Sequence, residues 1–186
     1  HFPRRTCIGK DSVEIHTIEH LMAALAGLSI DNLCIEIDND EVPGLDGSSL
    51  DFSKILTKAG IVEQEKERQY FIVKDPIFVE EDGASIVALP SREFKISYTL
   101  NYNHPMLRAQ FLEININPEV FEKELAGART FCLEEEADQL QRQGLGRGAN
   151  YDNTLVVGKT GVIKNKLRYQ DEFVRHKISD LLGDLY

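Results

Sequence analysis

The chain has 186 residues, 42% hydrophobic and 28% charged, enough for one large or two small globular domains. Its net charge of −10 argues against nucleic acid as the main partner, while a local basic pocket for a small anion stays compatible with it. No run reaches the length of a membrane span, no signal peptide is visible, and Cys7, Cys34 and Cys132 lack CxxC spacing, which fits free thiols in a reducing compartment.

Residues 1–14 read as a basic arm and a short strand. Thr17 is the expected N-cap of a helix that carries Glu19 in its first turn and closes at Gly27. Residues 33–37 alternate, with Leu33, Ile35 and Ile37 on one face of an expected strand. A turn-rich loop follows over 38–49, then a helix over 50–59 ended by Gly60. The polar, charged run 62–69 is the best linker candidate and divides the chain into 1–64 and 65–186. Beyond it, β-branched and aromatic residues predict strands at 70–73, 77–80, 84–89, 94–101 and 111–116, with Asp82-Gly83 as a hairpin turn. Asn117-Pro118 caps and starts a helix to residue 125, and a second helix is expected over 133–143. Gly144-Leu145-Gly146-Arg147-Gly148 lacks a GK[ST] ending and follows a helix, so it reads as a connection rather than a phosphate loop. Residues 154–157 and 161–163 predict a strand pair around Lys159-Thr160.

The stretch 171–184 carries the first chemical signal. In a helix, His176 and Asp180 lie one turn apart on one face, and Asp184 continues the row. The row borders the apolar arc of Val174, Ile178, Leu181, Leu182 and Leu185. An imidazole and a carboxylate at this spacing suit a divalent metal, although the same spacing also occurs on solvated rims of amphipathic helices.

A second stretch matches the first. Aligning His20 with His176 also aligns Leu25 with Leu181 and Gly27 with Gly183. The period is too long for a solenoid, so it implies two related domains, each with a histidine near the start of an apolar helix that stops at glycine. If the two copies pack face to face, His20, His176 and Asp180 form a His-His-Asp set with an open fourth position, as in catalytic zinc sites. Glu19 would then be the base beside the metal. The histidines lie 156 positions apart (176 minus 20), which disfavours an HExxH peptidase.

Five motifs occur in order: Thr17-Ile18-Glu19-His20-Leu21, Leu45-Asp46-Gly47-Ser48, Ala128-Arg129-Thr130-Phe131, Tyr151-Asp152-Asn153 and Phe173-Val174-Arg175-His176-Lys177-Ile178-Ser179-Asp180. Together they resemble the UDP-3-O-acyl-N-acetylglucosamine deacetylase family, the zinc amidases that commit Gram-negative bacteria to lipid A synthesis. The resemblance implies an α+β fold of two topologically similar domains, each a sheet with helices, packed as a sandwich with the helices between the sheets. It places an insert near 153–169 that would form a passage for the substrate acyl chain. It implies Zn2+ held by His20, His176 and Asp180, with Glu19 as general base and Thr130 as oxyanion donor. Lys177 matches the family's active-site lysine, and Asp184 the acid that orients a second catalytic histidine in a downstream motif. Phe131 matches a residue at the passage entrance, and His104 falls in a loop near the sugar, where turn geometry before Pro105 is its plainest role. A cytoplasmic monomer is implied, with an acylated UDP-glucosamine derivative as its small-molecule substrate and peripheral membrane association open.

The chain starts without Met and stops at Tyr186, which leads to the expectation of a protein truncated at both ends, with the downstream histidine lost. Marginal stability would follow from an exposed sheet edge. The competing reading is a non-catalytic, zinc-stabilised module. His16 stands where the family has a small residue and is an additional candidate metal contact.

Overall fold

The computed structural model describes residues 5–137 and 148–186. Its architecture is α+β. A hairpin of β1 (Cys7–Lys10) and β2 (Val13–His16) leads into α1 (Glu19–Gly27), and α2 (Leu50–Ala59) follows a long loop. Two further antiparallel hairpins pair β3 (Ile77–Glu81) with β4 (Ala84–Ala88), and β5 (Lys95–Leu100) with β6 (Gln110–Asn115). A short helix α3 (Pro118–Val120) continues as a wider turn over Phe121–Leu125. Strand β7 (Phe131–Leu133) pairs in parallel with β8 (Leu155–Gly158), which pairs antiparallel with β9 (Gly161–Ile163). The last helix is α4 (Glu172–Asp184).

Several turns follow from local chemistry. Asp82 and Gly83 both have positive φ, 50° and 79°, as a type I′ hairpin turn requires. Asn117 caps α3 by accepting from the Val120 amide at 3.0 Å, with Pro118 as the first helical residue. Gly60 ends α2 with φ at 91°.

Other expectations are corrected. Thr17 does not cap α1. It sits at φ 59°, its hydroxyl donates to Glu41 Oε1 at 2.6 Å, and Ile18 occupies the cap position without a side-chain bond. Residues 33–37 alternate as expected but form no strand, because a strand needs a ladder partner. The nearby chain reaches this region through side chains instead: Asn32 Nδ2 donates to Gln64 Oε1 at 2.6 Å and Arg68 Nη2 to Asp31 Oδ2 at 2.8 Å. Residues 70–73 are likewise outside any ladder, with Tyr70, Phe71 and Ile72 exposed. The expected helix over 133–143 begins one residue later, after β7, and its part beyond 137 lies outside the described residues, as do residues 144–147 of the glycine-rich stretch.

The core joins α1, α4 and one face of the β5–β6 hairpin. Ala23 and Ala24 of α1 pack with Ile178 and Leu182 of α4, Ile96 of β5, and Phe121 and Leu125. A second cluster, Leu100, Leu107, Leu155, Val157, Phe173 and Val174, ties α4 to β8. Helix α1 is buried nearly all round, so its alanines serve close packing as well as helix propensity.

Gly27 is the last residue of α1, as expected, while Gly183 lies one residue inside the end of α4. Gly27 and Gly183 are both helical, and the next residues, Leu28 and Asp184, keep right-handed backbone. What they share is contact. A Cβ on Gly183 would lie 2.1 Å from the Glu19 carbonyl oxygen, and one on Gly27 would lie 2.2 Å from Phe121 Cγ. Gly183→Ala is therefore expected to force α1 and α4 apart, costing about 1–3 kcal/mol or more. Gly44, with nothing within 4 Å of an added Cβ, should tolerate alanine within about 0.5 kcal/mol. Paired thermal melts check the contrast, and equal melting temperatures would contradict it.

Candidate metal centre

The close approach of α1 and α4 brings their histidines together. The His20 and His176 rings lie 5.1 Å apart, edge to face, although 156 positions separate them in sequence. Asp180, one turn past His176, completes the group. Its Oδ1 lies 3.3 Å from His176 Nε2 and 3.6 Å from His20 Nε2. That oxygen is sealed from solvent and has no hydrogen-bond partner among the described residues. A buried carboxylate oxygen left this way is costly unless something positive fills the gap. Ligands at about 2.0–2.1 Å on a tetrahedral ion stand about 3.3 Å from one another. One donor atom from each of the three residues lies within 4.8 Å of the others, so the set fits one metal ion.

The protonation state of His176 agrees with that role. Burial drives His176 down to about 4, so its ring is neutral near pH 7. Its Nδ1 is 3.1 Å from the Ala128 carbonyl, which can only accept. Nδ1 therefore carries the proton, and the Nε2 lone pair is free to bind a metal. Burial also opposes a charged His20, but the adjacent Asp180 outweighs it and raises the His20 pKa. Burial resists ionisation of Asp180, yet His176, Lys177 and His20 together hold its carboxyl well below the usual carboxylate range.

Of the remaining expected residues, Glu19, Lys177, Asp184 and Phe131 are tied to this group or its neighbours, whereas Thr130, His104 and His16 have their contacts elsewhere. Glu19, on α1 next to His20, is buried, and burial raises its carboxyl above the ordinary value. The Thr6 amide donates to its Oε2 at 3.1 Å. The Thr6 hydroxyl donates to Asp184 Oδ1 at 2.6 Å, so a residue of the N-terminal arm bridges two acids of the site. Burial raises the Asp184 pKa as well. Lys177 Nζ donates to Asp180 Oδ2 at 3.0 Å and lies 5.6 Å from the centre of the Phe131 ring. Burial alone would lower its pKa, but Asp180 makes the net shift upward. Phe131 stacks edge to face on Phe173 at 4.9 Å and lies 6.3 Å from the His176 ring. Thr130 is fixed through its backbone, donating to the Gly47 carbonyl at 2.7 Å and accepting from the Leu155 amide at 2.9 Å. His104 is engaged in a turn, where its Nδ1 accepts from the Met106 amide at 3.3 Å. His16 ends β2 with its Nε2 3.9 Å from Glu14 Oε2, apart from the three-residue group.

Sequence reasoning missed Thr6 and Glu172 as neighbours of the site. For Glu172 a signal existed: it stands four residues before His176, hence on the same face of α4. Thr6 depends on a contact spanning 178 positions and left no local trace.

Two imidazoles and a carboxylate close on one point, with a further buried carboxylate beside them, and form a group that could hold a metal ion on an α+β fold. The model of the LpxC family, described as UDP-3-O-acyl N-acetylglycosamine deacetylase, matches residues 1–186, and the chain belongs to that family. It is 44% identical over 180 residues to the UDP-3-O-acyl-N-acetylglucosamine deacetylase of Thermodesulfovibrio yellowstonii, covering 97% of this chain and 62% of that protein. Proteins with the same name from Citrifermentans bemidjiense and Myxococcus xanthus are 43% and 38% identical, each over 181 residues covering 97% of this chain, and 59% and 58% of their own lengths. The chain thus spans about six-tenths of the length of these relatives.

Metal binding should stabilise the chain by mass action. With Zn2+ at about 1,000 times its Kd, the gain is about 4 kcal/mol, or on the order of 10 °C in melting temperature. Asp180→Asn should remove that increment. An unchanged shift in the variant would show that Zn2+ binds elsewhere.

Proposed function

We propose that this chain carries the metal centre of a zinc-dependent deacetylase that hydrolyses the acetamide of a UDP-3-O-acyl-N-acetylglucosamine and releases acetate, the committed step of lipid A biosynthesis. The observation that carries the reading is the convergence of His20, His176 and Asp180 with Glu19 beside them. His20, His176 and Asp180 would hold a zinc ion, which would supply Lewis acidity there and make water easier to deprotonate.

The chain's own residues supply the rest. Glu19 takes at its carboxylate the proton of the water that attacks the acetamide carbon, and its burial favours holding that proton until it passes to the leaving amine. The Thr130 hydroxyl donates to the oxygen of the acetamide as charge develops on it. The Lys177 ammonium places a positive charge at the same rim. Asp184, tied to Thr6, takes the place of the acid that in the family orients a second catalytic histidine. Phe131 stands at the mouth of an apolar passage formed with the insert near 153–169, and His104 borders the sugar. We further propose two domains, 1–64 and 65–186, in a cytoplasmic monomer. No helix among the described residues is long and apolar enough to cross a membrane.

In the full-length protein, Glu19→Gln should retain zinc while kcat falls by about 10²–10⁴. Undiminished turnover would remove Glu19 from the mechanism. The acylated nucleotide sugar should also bind far more tightly than its unacylated analogue, and equal affinities would argue against the passage.

A further inference from the structure

Glu172 takes no part in that chemistry, yet it is completely buried and accepts four hydrogen bonds. Arg129 donates to Oε1 from its amide at 3.1 Å and from Nε at 2.8 Å, and to Oε2 from Nη2 at 3.3 Å. The Arg168 amide donates to Oε2 at 2.5 Å. Arg129 is 4% exposed and donates further to the Asn165 side chain at 3.1 Å and the Lys166 carbonyl at 2.6 Å. Stability alone is a weak reason for this arrangement, because a buried ion pair can often be replaced by apolar side chains without loss.

Its position supplies a better reason. Glu172 and His176 are one turn apart on α4 and grip successive residues of one segment. His176 Nδ1 donates to the Ala128 carbonyl at 3.1 Å, and Glu172 Oε1 accepts from the Arg129 amide at 3.1 Å. Thr130 follows directly, with its own amide on Gly47. We propose that Glu172 and Arg129 are positioning residues of the metal centre: their ion pair pins the Ala128-Arg129 backbone to α4, so that the Ala128 carbonyl keeps the His176 ring in its metal-binding orientation. The proposal rests on the metal-centre reading. Arg129 also carries the clamp outward, because its Asn165 and Lys166 partners lie between β9 and α4. Outer partners of metal-binding histidines are typically worth about 10–100-fold in metal affinity or activity.

The test uses the full-length protein with Zn2+ affinity read by chelator competition, alongside thermal melts and steady-state kinetics. Glu172→Gln keeps the size and one acceptor but loses the charge. It should melt cooperatively, bind Zn2+ about 10–100-fold more weakly, and lose kcat with KM unchanged. Should that variant fail to fold, the apolar pair Arg129→Met/Glu172→Leu replaces it, with the same loss of Zn2+ affinity expected. A folded variant of either kind with wild-type Zn2+ affinity and kcat overturns the proposal, since a merely structural pair would behave that way. A wild-type protein that takes up no Zn2+ overturns the underlying metal-centre reading, and that outcome is recognised before any variant is compared.

Discussion

The site depends on how closely α1 can approach α4. That distance is set where Gly183 meets the Glu19 carbonyl, with no room for a Cβ, and where Ala23 and Ala24 face Ile178 and Leu182. Small residues at a helix contact let backbones draw near, and here closeness has a chemical consequence. His20 and His176 leave their helices from facing turns and meet at 5.1 Å. A wider contact would leave each histidine in its own helix surface, and Asp180 could not reach both.

The same closeness is unfavourable for the metal-free chain. It gathers two imidazoles, an unpartnered carboxylate oxygen and a second buried carboxylate in a region poor in water. Desolvating such groups costs more than their mutual attraction returns unless a cation or further hydrogen bonds complete the set. Lys177 supplies part of that compensation at Asp180 Oδ2, and Thr6 supplies part at Glu19 and Asp184. The Oδ1 atom facing both histidines has no such partner among the described residues, which is the position where a metal would act. The outer layer is built differently: Glu172 and Arg129 satisfy each other and the surrounding backbone completely, so they lend rigidity to the segment behind His176.

Much of the site was legible in sequence because helical spacing is a local rule. The four-residue step from His176 to Asp180 fixed their shared face, and the likeness of the two histidine helices predicted their meeting. The aligned glycines were seen and partly misread: Gly27 closes α1 as expected, Gly183 lies inside α4, and close contact requires both. Hairpins marked by Asp82-Gly83 were legible for the same local reason. The strands expected at 33–37 and 70–73 were not found, because alternation shows which face a segment would bury and cannot say whether a ladder partner exists. Thr6 and the grip of Glu172 on Arg129 span long separations and were invisible to any rule of spacing.

The central claim is that two distant helices assemble a single metal centre. Elemental analysis of the purified 186-residue chain tests it most directly, with His20→Ala and His176→Ala prepared alongside. The account predicts one zinc per chain, lost in either variant, because the donors come from different helices and neither half suffices. Zinc retained when His20 is removed would contradict it, and so would a folded parent chain that carries no metal.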